Sequence, residues 1–294
     1  MTSIELSAPA KVNLFLRILK KRKDGYHDLH TLFERIGIAD KIKLTKIPRG
    51  IKVHSDSYIT ARQIDNIAYK AADILIKKKK LRSGVRIDIE KNIPIAAGMG
   101  GGSSDAASVL IGMNRLFDLG LKKPEMAKIA LKLGADVPFF IEDTSFAIGK
   151  GVGERLNKVN IGKKLWHLII YPGFKSATKG IYEAFDKGPF ALTQNRRDVR
   201  IQPCFPTPVD FGALEAMLYN DLQAAAVTKN RALDGIIKRL ASLLGKRIIL
   251  SGSGPSLFCL YKDRKEAISA GKELHRRIPA ADRKLWKIFI AKTL

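Results

Sequence analysis

The sequence contains only two cysteines, which limits the kinds of site that it can build. Cys204 and Cys259 lie far apart, and neither belongs to a Cys-x-x-Cys pattern or to a Cys/His pattern typical of zinc. A disulfide framework and a structural zinc site are therefore not expected. We predict two free, buried thiols in a reducing compartment.

Acidic residues and long apolar runs are scarce as well. The chain of 294 residues carries 28 Asp and Glu against 53 Lys and Arg, a formal charge of +25. No apolar run approaches the roughly 20 residues that span a bilayer. Residues 1–10 do not show the basic segment and apolar core of a signal peptide. These absences predict a cytoplasmic protein that does not associate with membranes.

The positive charge has three interpretations: nucleic-acid binding, attraction of a phosphate-rich small substrate, or a lysine-rich solvated surface. The basic residues occur in several short groups rather than in one arm, and aromatic residues are not interleaved with them. This distribution favours the solvated surface. No specific nucleic-acid partner is expected, although nucleic-acid binding without catalysis stays an alternative.

The hydrophobic fraction of 46% is typical of a globular protein, and its spacing predicts a mixed α+β fold. Alternating or short apolar runs predict strands at residues 4–19, 36–47, 85–90, 165–171, 247–250, 257–261 and 286–290. Apolar residues at helical spacing predict helices at residues 67–75, 106–117, 124–133, 232–244 and 265–277. Residues 186–210 lack either pattern, which predicts a long loop.

A glycine-rich segment, residues 94–104, connects the strand at 85–90 to the helix at 106–117. Its centre reads Gly98-Met99-Gly100-Gly101-Gly102, and each glycine costs up to about 1 kcal/mol relative to alanine in regular structure. That cost is explained if backbone N–H groups must approach an anion closely at the positive end of a helix dipole. The segment therefore predicts a polyphosphate site, although it matches neither the Walker A nor the Gly-x-Gly-x-x-Gly pattern.

The sequence also suggests where the helix after this segment begins and ends. Ser103 or Ser104 is the predicted N-cap, and Gly120 is predicted to lie near the helix end. A second glycine group, Gly149-Lys150-Gly151-Val152-Gly153, is predicted to be a hairpin turn.

Residues 94–107 resemble the ATP-binding motif of the GHMP kinases, a family of small-molecule kinases. Three more segments extend the resemblance in order over nearly the whole chain. They are Ala8–Leu16 with Asp24-Gly25-Tyr26-His27, then Gly134–Phe140, then Ser251-Gly252-Ser253-Gly254-Pro255-Ser256. The first two resemble the branch of the family that acts on a cytidyl alcohol, 4-diphosphocytidyl-2-C-methyl-D-erythritol.

The resemblance implies a two-domain α+β fold with the active site between the domains. Residues 1–158 would form the N-terminal domain, similar to domain 2 of ribosomal protein S5, and residues 159–294 a ferredoxin-like C-terminal domain. It also implies ATP as co-substrate, Mg²⁺ with ligands that the sequence does not specify, and a monomer or homodimer. The implied reaction is phosphorylation of the 2-hydroxyl of the cytidyl alcohol in the non-mevalonate route to isoprenoid precursors. A homoserine or mevalonate type of substrate is the alternative within the family.

The resemblance assigns Asp136 as the general base and Lys11 as its partner. A cation within about 4–6 Å keeps a carboxylate ionised. From the residues alone, Asp136 could instead form an Asx turn or a helix cap. Lys11 could equally lie on the solvent side of a strand.

The resemblance also assigns the binding residues. Tyr26 is expected to stack on the cytosine ring, His27 to contact the ring edge, Asn13 to contact the substrate, and Tyr182 to be a second stacking aromatic. Alternatively, Tyr26 and His27 are surface residues of a turn. The segment Gly252–Ser256 is expected to close over the site, or to be a simple hairpin turn. The residues assigned to ATP are Pro94, Ile95, Ala96, Ala97, Gly98, Met99, Gly100, Gly101, Gly102, Ser103 and Ser104.

Overall fold

The computed structural model describes residues 1–189 and 210–294. The predicted loop at 186–210 and Cys204 therefore fall largely or wholly outside the described residues. The strands in the described ranges are β1 (Ser3–Lys21), β2 (His27–Ile47), β3 (Ile51–Ser55), β4 (Gly84–Glu90), β5 (Phe146–Gly151), β6 (Arg155–Lys158), β7 (Trp166–Tyr171), β8 (Tyr219–Asn220), β9 (Ile249–Leu250), β10 (Leu257–Tyr261) and β11 (Lys287–Lys292).

The helices in the same ranges are α1 (Ile67–Lys79), α2 (Gly101–Leu116), α3 (Lys123–Leu133), α4 (Val137–Ile141), α5 (Thr178–Lys187), α6 (Phe211–Met217), α7 (Leu222–Lys229), α8 (Ala232–Leu244), α9 (Arg264–Arg277) and α10 (Ala280–Leu285). None of them combines the length and the apolar character that crossing a bilayer requires. The mixed α+β class predicted from the sequence is confirmed.

The described chain forms two compact units that alternate along the sequence. The first unit comprises residues 1–11, 38–95 and 100–144, and the second comprises residues 12–37, 96–99 and 145–294. Strands β1 and β2 each contribute residues to both units, so one cut in the chain does not separate them. The predicted domain division at residues 1–158 and 159–294 stays a prediction.

The first unit contains a sheet with helices packed on it, and buried and exposed side chains alternate along its strands. β4 pairs antiparallel with β2 from Lys41↔Glu90 to Ile47↔Gly84, and β3 pairs parallel with β4. Gly112 allows α2 to lie close to this sheet, because a Cβ there would be 2.5 Å from Leu44 Cδ1. The predicted start of α1 is set by Asn66, whose side chain accepts a hydrogen bond from Ala68 N at 2.9 Å.

The second unit contains an antiparallel sheet in the order β11-β7-β10-β9. Its central strands β7 and β10 are buried along almost their whole length, which explains why their sequences read as apolar runs. Gly271 lets α9 approach this sheet, because a Cβ at that position would be 3.3 Å from Leu168 Cδ1. Cys259 lies in β10 and is buried as predicted; burial raises the pKa of its thiol to about 12.

Two glycine-rich turns of the second unit connect antiparallel strands. The turn at residues 152–154 joins β5 to β6, which pair from Ala147↔Lys158 to Lys150↔Arg155, so the hairpin predicted for Gly149–Gly153 is confirmed. The turn at residues 251–256 joins β9 to β10, which pair at Leu257↔Leu250. This second segment is therefore also a hairpin connection.

The start of α2 differs from the sequence prediction. The helix begins at Gly101 with Gly100 at the N-cap position, so the N-cap predicted at Ser103 or Ser104 is wrong. Gly100 has φ +69°, a left-handed conformation that glycine adopts without steric cost. The backbone N–H of Ser104 donates to Gly100 O at 2.9 Å. Both serines therefore lie within the first helical turn.

A buried asparagine fastens the second glycine turn to the rest of its unit. Asn220 Nδ2 donates to Leu250 O and to Gly252 O, both at 2.7 Å, and Asn220 Oδ1 accepts from Leu222 N at 2.9 Å. Asn220 is only 6% exposed. Water therefore has little access to replace these bonds.

We predict that Asn220→Ala lowers the free energy of unfolding by about 3 kcal/mol, because buried polar groups lose their partners. Urea unfolding followed by circular dichroism measures the loss. The matched control is Asn230→Ala, whose exposed side chain caps the following turn through Ala232 N at 3.1 Å; about 1 kcal/mol is expected there. Equal losses in the two variants would contradict the buried anchor.

Candidate active site

The first half of the glycine-rich loop, residues 96–99, is held by the β9–β10 turn within the second unit. Ser251 Oγ donates to Gly98 O at 3.0 Å, and Ser256 N donates to Ala97 O at 3.1 Å. A Cβ at Gly98 would be 2.1 Å from Ser251 O, and Gly98 has φ +78°. Only glycine satisfies both constraints.

Backbone φ alternates in sign along the loop. Ala96, Gly98 and Gly100 have φ of +55°, +78° and +69°. Such left-handed residues between right-handed or extended ones turn successive N–H groups toward one side, which is the arrangement that binds anions. The loop then passes directly into the N-terminus of α2, where further N–H groups are free of helical partners.

The second half of the loop lies against Lys11 in the first unit. A Cβ at Gly100 would be 3.0 Å from Lys11 Cγ and 3.1 Å from Phe140 Cζ. A Cβ at Gly101 would be 3.0 Å from Ile93 Cγ2. Gly102 differs, because a Cβ there would meet Ile67 Cγ2 at an ordinary 3.6 Å. Packing and backbone strain therefore explain Gly100 and explain Gly101 in part, but they leave the glycine at residue 102 unexplained.

Lys11 and Asp136, the two residues assigned to catalysis, lie next to each other in the first unit. Lys11 Nζ is 3.3 Å from Asp136 Oδ2. The lysine side chain is 5% exposed and the aspartate side chain 33% exposed. Lys11 therefore lies inside and not on the solvent side of its strand, while the carboxylate keeps a face that a substrate can reach.

The position of Asp136 comes from the start of a short helix. Gly134 ends α3, and Asp136 stands at the N-cap position of α4, followed by Pro138 in the first turn. Its side chain accepts no capping hydrogen bond from the described residues. The alternative of a simple helix cap therefore does not account for this carboxylate, which instead faces Lys11.

A buried ionic cluster, formed by Asp40, Lys91 and Asp105, lies beside the loop in the first unit. Lys91 Nζ contacts Asp40 Oδ2 and donates to Asp105 Oδ2 at 2.8 Å. Asp40 Oδ1 accepts hydrogen bonds from the backbone N–H groups of Asn92 and Ile93, at 2.6 and 2.8 Å. The cluster thus fixes the chain directly before Pro94.

The Asp40–Lys91–Asp105 cluster carries two carboxylates for one ammonium group. Burial raises the pKa of Asp105 to about 7, with Lys91 opposing the rise and Asp40 adding to it. Burial would lower the pKa of Lys91, but Asp105 and Asp40 together raise it. Sequence reasoning missed this cluster. Two features of the sequence could have indicated the cluster: a lysine, Lys91, shortly before the loop, and an acidic residue, Asp105, within an otherwise apolar helix.

The residues assigned to base recognition lie in the second unit. His27 is buried and its ring centroid is 4.9 Å from that of Tyr182, while Tyr26 is 62% exposed. His27 Nε2 lies 2.7 Å from Asp186 Oδ1, and Lys21 Nζ lies 2.7 Å from Asp186 Oδ2. Burial would raise the pKa of Asp186, but the hydrogen bonds from Lys21 and His27 outweigh it and lower that pKa. Sequence reasoning did not find Asp186, which lies far from His27 along the chain.

Asn13 is 1% exposed and its side chain is engaged inside the second unit. Asn13 Nδ2 donates to Thr31 Oγ1 at 2.7 Å, and Thr31 Oγ1 donates to Phe15 O at 2.7 Å. The assigned contact of Asn13 with substrate stays a prediction.

The fit of a divalent cation depends on hydroxyl groups near the glycine-rich loop. Ser104 Oγ is buried without a hydrogen-bond partner among the described residues. In those residues, no group of three or more His, Cys, Asp or Glu side chains could hold a metal. Mg²⁺ usually keeps several waters and relies on substrate phosphates, so the donor set fits an ion that arrives with a nucleotide.

Comparison with known proteins matches these features to one family. The model of the GHMP kinases N terminal domain matches residues 66–143, and that of GHMP kinases C terminal matches residues 209–280. A 4-diphosphocytidyl-2-C-methyl-D-erythritol kinase of Syntrophotalea carbinolica is 38% identical over 92% of this chain and 94% of its own. The chain belongs to the GHMP kinase family. It is therefore a small-molecule kinase with ATP as co-substrate, and the family predicted from the sequence motifs is confirmed.

Further relatives of this GHMP kinase agree in fold. The kinase of the same printed name from Acetivibrio thermocellus is 33% identical over the full length of both chains. The crystal structure of a 4-(cytidine 5'-diphospho)-2C-methyl-D-erythritol kinase has a TM-score of 0.72 and 31% identity, covering 98% of each chain. A homoserine kinase from Cytophaga hutchinsonii has a TM-score of 0.75 at 17% identity over 100% of this chain and 95% of its own. That last likeness shows the fold alone. The two-domain GHMP-kinase fold expected from the motifs is thereby confirmed.

The raised pKa of Asp105 predicts how stability depends on pH. The folded state keeps this proton up to about pH 7, whereas an unfolded aspartate releases it near pH 4. The stabilising contribution of Asp105 is therefore complete below about pH 4 and is lost as pH rises to about 7. Asp105→Asn mimics the protonated form. As the pH is raised from 5 to 8, we expect the free energy of unfolding of the parent to fall by about 3 kcal/mol relative to that of Asp105→Asn.

Denaturant unfolding at a series of pH values measures this difference. The matched control is Glu90→Gln, an exposed acid in the residue before Lys91, whose stability curve should stay parallel to that of the parent. A difference between Asp105→Asn and the parent that does not change with pH would contradict the assignment of the buried proton.

Proposed function

We propose that this GHMP kinase transfers the γ-phosphoryl group of ATP to the 2-hydroxyl of 4-diphosphocytidyl-2-C-methyl-D-erythritol, a step of the non-mevalonate route to isoprenoid precursors. The observation that carries the chemistry is the Lys11–Asp136 pair, a buried ammonium group 3.3 Å from a carboxylate that is one-third exposed. The substrate is supported by the names of relatives that are 33–38% identical over at least 92% of this chain.

Asp136 accepts the proton of the attacking hydroxyl in this proposal. Lys11 contacts Oδ2, which leaves Oδ1 to receive the substrate hydroxyl. A positioned general base contributes about 10²- to 10⁴-fold to a rate. The ammonium group of Lys11, 3.3 Å from Oδ2, fixes the orientation of the carboxylate.

The backbone of residues 94–104 binds the phosphates of ATP. The left-handed residues Ala96, Gly98 and Gly100 and the N-terminus of α2 support this role, since both expose N–H groups to an anion. Mg²⁺ that arrives with the nucleotide would supply positive charge to offset that of the phosphates. Ser103 and Ser104 would supply hydroxyl ligands in the first turn of α2.

The cytidyl end of the substrate is held by residues of the second unit. Tyr26 offers an exposed ring for stacking, and Tyr182 lies beside His27 as a second aromatic surface. His27 contacts the edge of the base, and Asn13 adds a polar contact. Binding at this end positions the hydroxyl, which is where most of the catalytic advantage of phosphoryl transfer arises.

The alternatives are less well supported. The homoserine kinase is only 17% identical to this chain, so the similarity concerns the fold alone. Nucleic-acid binding without catalysis rests only on the charge of +25, which a lysine-rich surface also explains. A cytoplasmic location and a monomeric or homodimeric state stay predictions.

The direct test is to incubate the protein with ATP, Mg²⁺ and the cytidyl alcohol and to follow ADP and a new phosphomonoester by phosphorus NMR. Parallel reactions contain homoserine or mevalonate in place of the cytidyl alcohol. We expect product in the reaction with the cytidyl alcohol and none in the reactions with homoserine or mevalonate. Turnover with another alcohol and none with the cytidyl alcohol would replace the proposed substrate.

We expect Asp136→Asn to lower kcat about 10³-fold, because the amide cannot accept the hydroxyl proton. The affinity for ATP should stay within about twofold. Steady-state kinetics and calorimetric titration with a non-hydrolysable ATP analogue measure the two effects. Asp118→Asn, an exposed Asp elsewhere in the first unit, is the matched control. Turnover close to that of the control would remove Asp136 from the mechanism.

Gly102→Ala tests the backbone cradle without disturbing the packing. The added Cβ meets only ordinary contact at Ile67, and alanine favours the helix, so stability should not fall. We expect the Kd for the ATP analogue to rise about tenfold or more, because the methyl group stands where a phosphate must approach. Gly235→Ala is the matched control, since a Cβ there meets no described atom within 4 Å. Unchanged affinity in Gly102→Ala would refute the cradle.

A further inference from the structure

Asp186 occupies a place beside His27 that the proposed chemistry leaves unexplained. It lies in α5, with one carboxylate oxygen 2.7 Å from His27 Nε2 and the other 2.7 Å from Lys21 Nζ. The His27 side chain is 4% exposed and that of Asp186 is 19% exposed. Asp186 therefore contacts two partners at once. Acidic residues are the minority among the charged residues of this chain, 28 against 53 basic ones.

The two contacts determine which atom of His27 carries a proton. An ionised carboxylate can only accept hydrogen bonds, and the hydrogen bonds from Lys21 and His27 lower the pKa of Asp186 and so favour its ionised form. His27 Nε2 is therefore the donor. In a neutral imidazole the other nitrogen is then an acceptor, which leaves Nδ1 to accept from a ligand.

We propose that Asp186, held by Lys21, is a positioning residue that keeps the His27 proton on Nε2, so that Nδ1 accepts a hydrogen bond from the exocyclic amino group of the substrate's cytosine. This inference rests on the proposed function for the identity of the base. Cytosine carries a donor at that position, whereas uracil carries an oxygen that accepts. An acceptor fixed at Nδ1 therefore favours cytosine and repels uracil. Tyr182 packs beside His27, with a ring centroid 4.9 Å from that of the imidazole.

Asp186→Asn should reverse this selection. The ammonium group of Lys21 needs an acceptor, so the single oxygen of the amide turns toward Lys21 and its NH₂ group turns toward His27. The imidazole must then accept at Nε2 and carry its proton on Nδ1. That tautomer donates toward the base, which suits the oxygen of uracil and not the amino group of cytosine.

The test measures Kd for CDP and for UDP with the non-hydrolysable ATP analogue at saturation, so that the phosphate loop is already filled. We expect the parent to prefer CDP and the CDP/UDP preference to fall about tenfold or more in Asp186→Asn. With the cytidyl alcohol, KM should rise while kcat changes less than about threefold. Glu183→Gln, an exposed acid in the same helix, is the matched control and should keep the preference of the parent.

Nitrogen-15 NMR of the His27 ring reads the tautomer directly and does not depend on turnover. In the parent we expect a protonated Nε2 and an unprotonated Nδ1 whose shift moves when CDP is added; in Asp186→Asn the two should exchange. A protonated Nδ1 in the parent, or a CDP/UDP preference in Asp186→Asn equal to that of Glu183→Gln, would overturn the proposal. If Asp186→Asn does not fold, the spectrum of the parent with and without CDP still decides.

The outcomes separate this inference from the proposed function. A parent enzyme that does not phosphorylate the cytidyl alcohol refutes the function, whatever the tautomer of His27. A parent that turns the substrate over normally, combined with unchanged base preference in Asp186→Asn, refutes only the role of Asp186. A parent with no preference for CDP over UDP overturns the positioning role as well.

Discussion

A buried ammonium group constrains the structure around Asp136 and the glycine-rich loop of this kinase. Lys11 lies in the interior at 5% side-chain exposure, and removing a charge from water costs several kcal/mol unless an opposite charge lies close. Asp136 supplies that charge at 3.3 Å. Gly100 supplies the space, because a Cβ there would lie only 3.0 Å from Lys11 Cγ. The ion pair and Gly100 of the glycine-rich loop are thus parts of one packing arrangement.

The same physical solution recurs at a second place in the molecule. Each of the two places sets a carboxylate against a buried ammonium group: Asp136 against Lys11, and Asp40 and Asp105 against Lys91. Asp186 differs, because its partner Lys21 is 56% exposed and its other partner, His27, is an imidazole. Acidic residues are scarce in this sequence, so their placement next to buried ammonium groups is informative. Surface ion pairs elsewhere in the chain contribute little by comparison, because water screens them.

The glycine-rich segment illustrates how one stretch of backbone meets several demands. Gly98 must avoid Ser251 O in the second unit, and Gly100 must avoid Lys11 in the first. Ser251 and Ser256 hold residues 97 and 98 by hydrogen bonds, and Asp40 holds the chain before Pro94. Residues 97 and 98 are therefore held by contacts within the second unit, and the chain before Pro94 is held by contacts within the first. Preorganised N–H groups bind an anion without the entropic cost of ordering a flexible loop.

The sequence by itself determined the family, the α+β class and most element positions, because hydrophobic period and glycine placement are local properties. The helix at 232–244 and the strand at 257–261 were predicted with their observed bounds. The glycines within residues 98–102, set between a strand pattern and a helix pattern, predict a polyphosphate site, and that role stays a prediction. The N-cap of α2 was misplaced, because the left-handed conformation of Gly100 depends on its surroundings and not on the serines that follow it.

Only the tertiary structure decided which distant residues meet. Asp40 and Lys91 come together from different strands and flanking segments, and Asp186 reaches His27 across 159 positions of the chain. No periodicity encodes such a pairing, because a side-chain contact of this kind depends on the packing of whole elements and not on local spacing. The same packing buries the side chain of Lys11. The alternation of side chains along a strand would also have allowed it to face solvent.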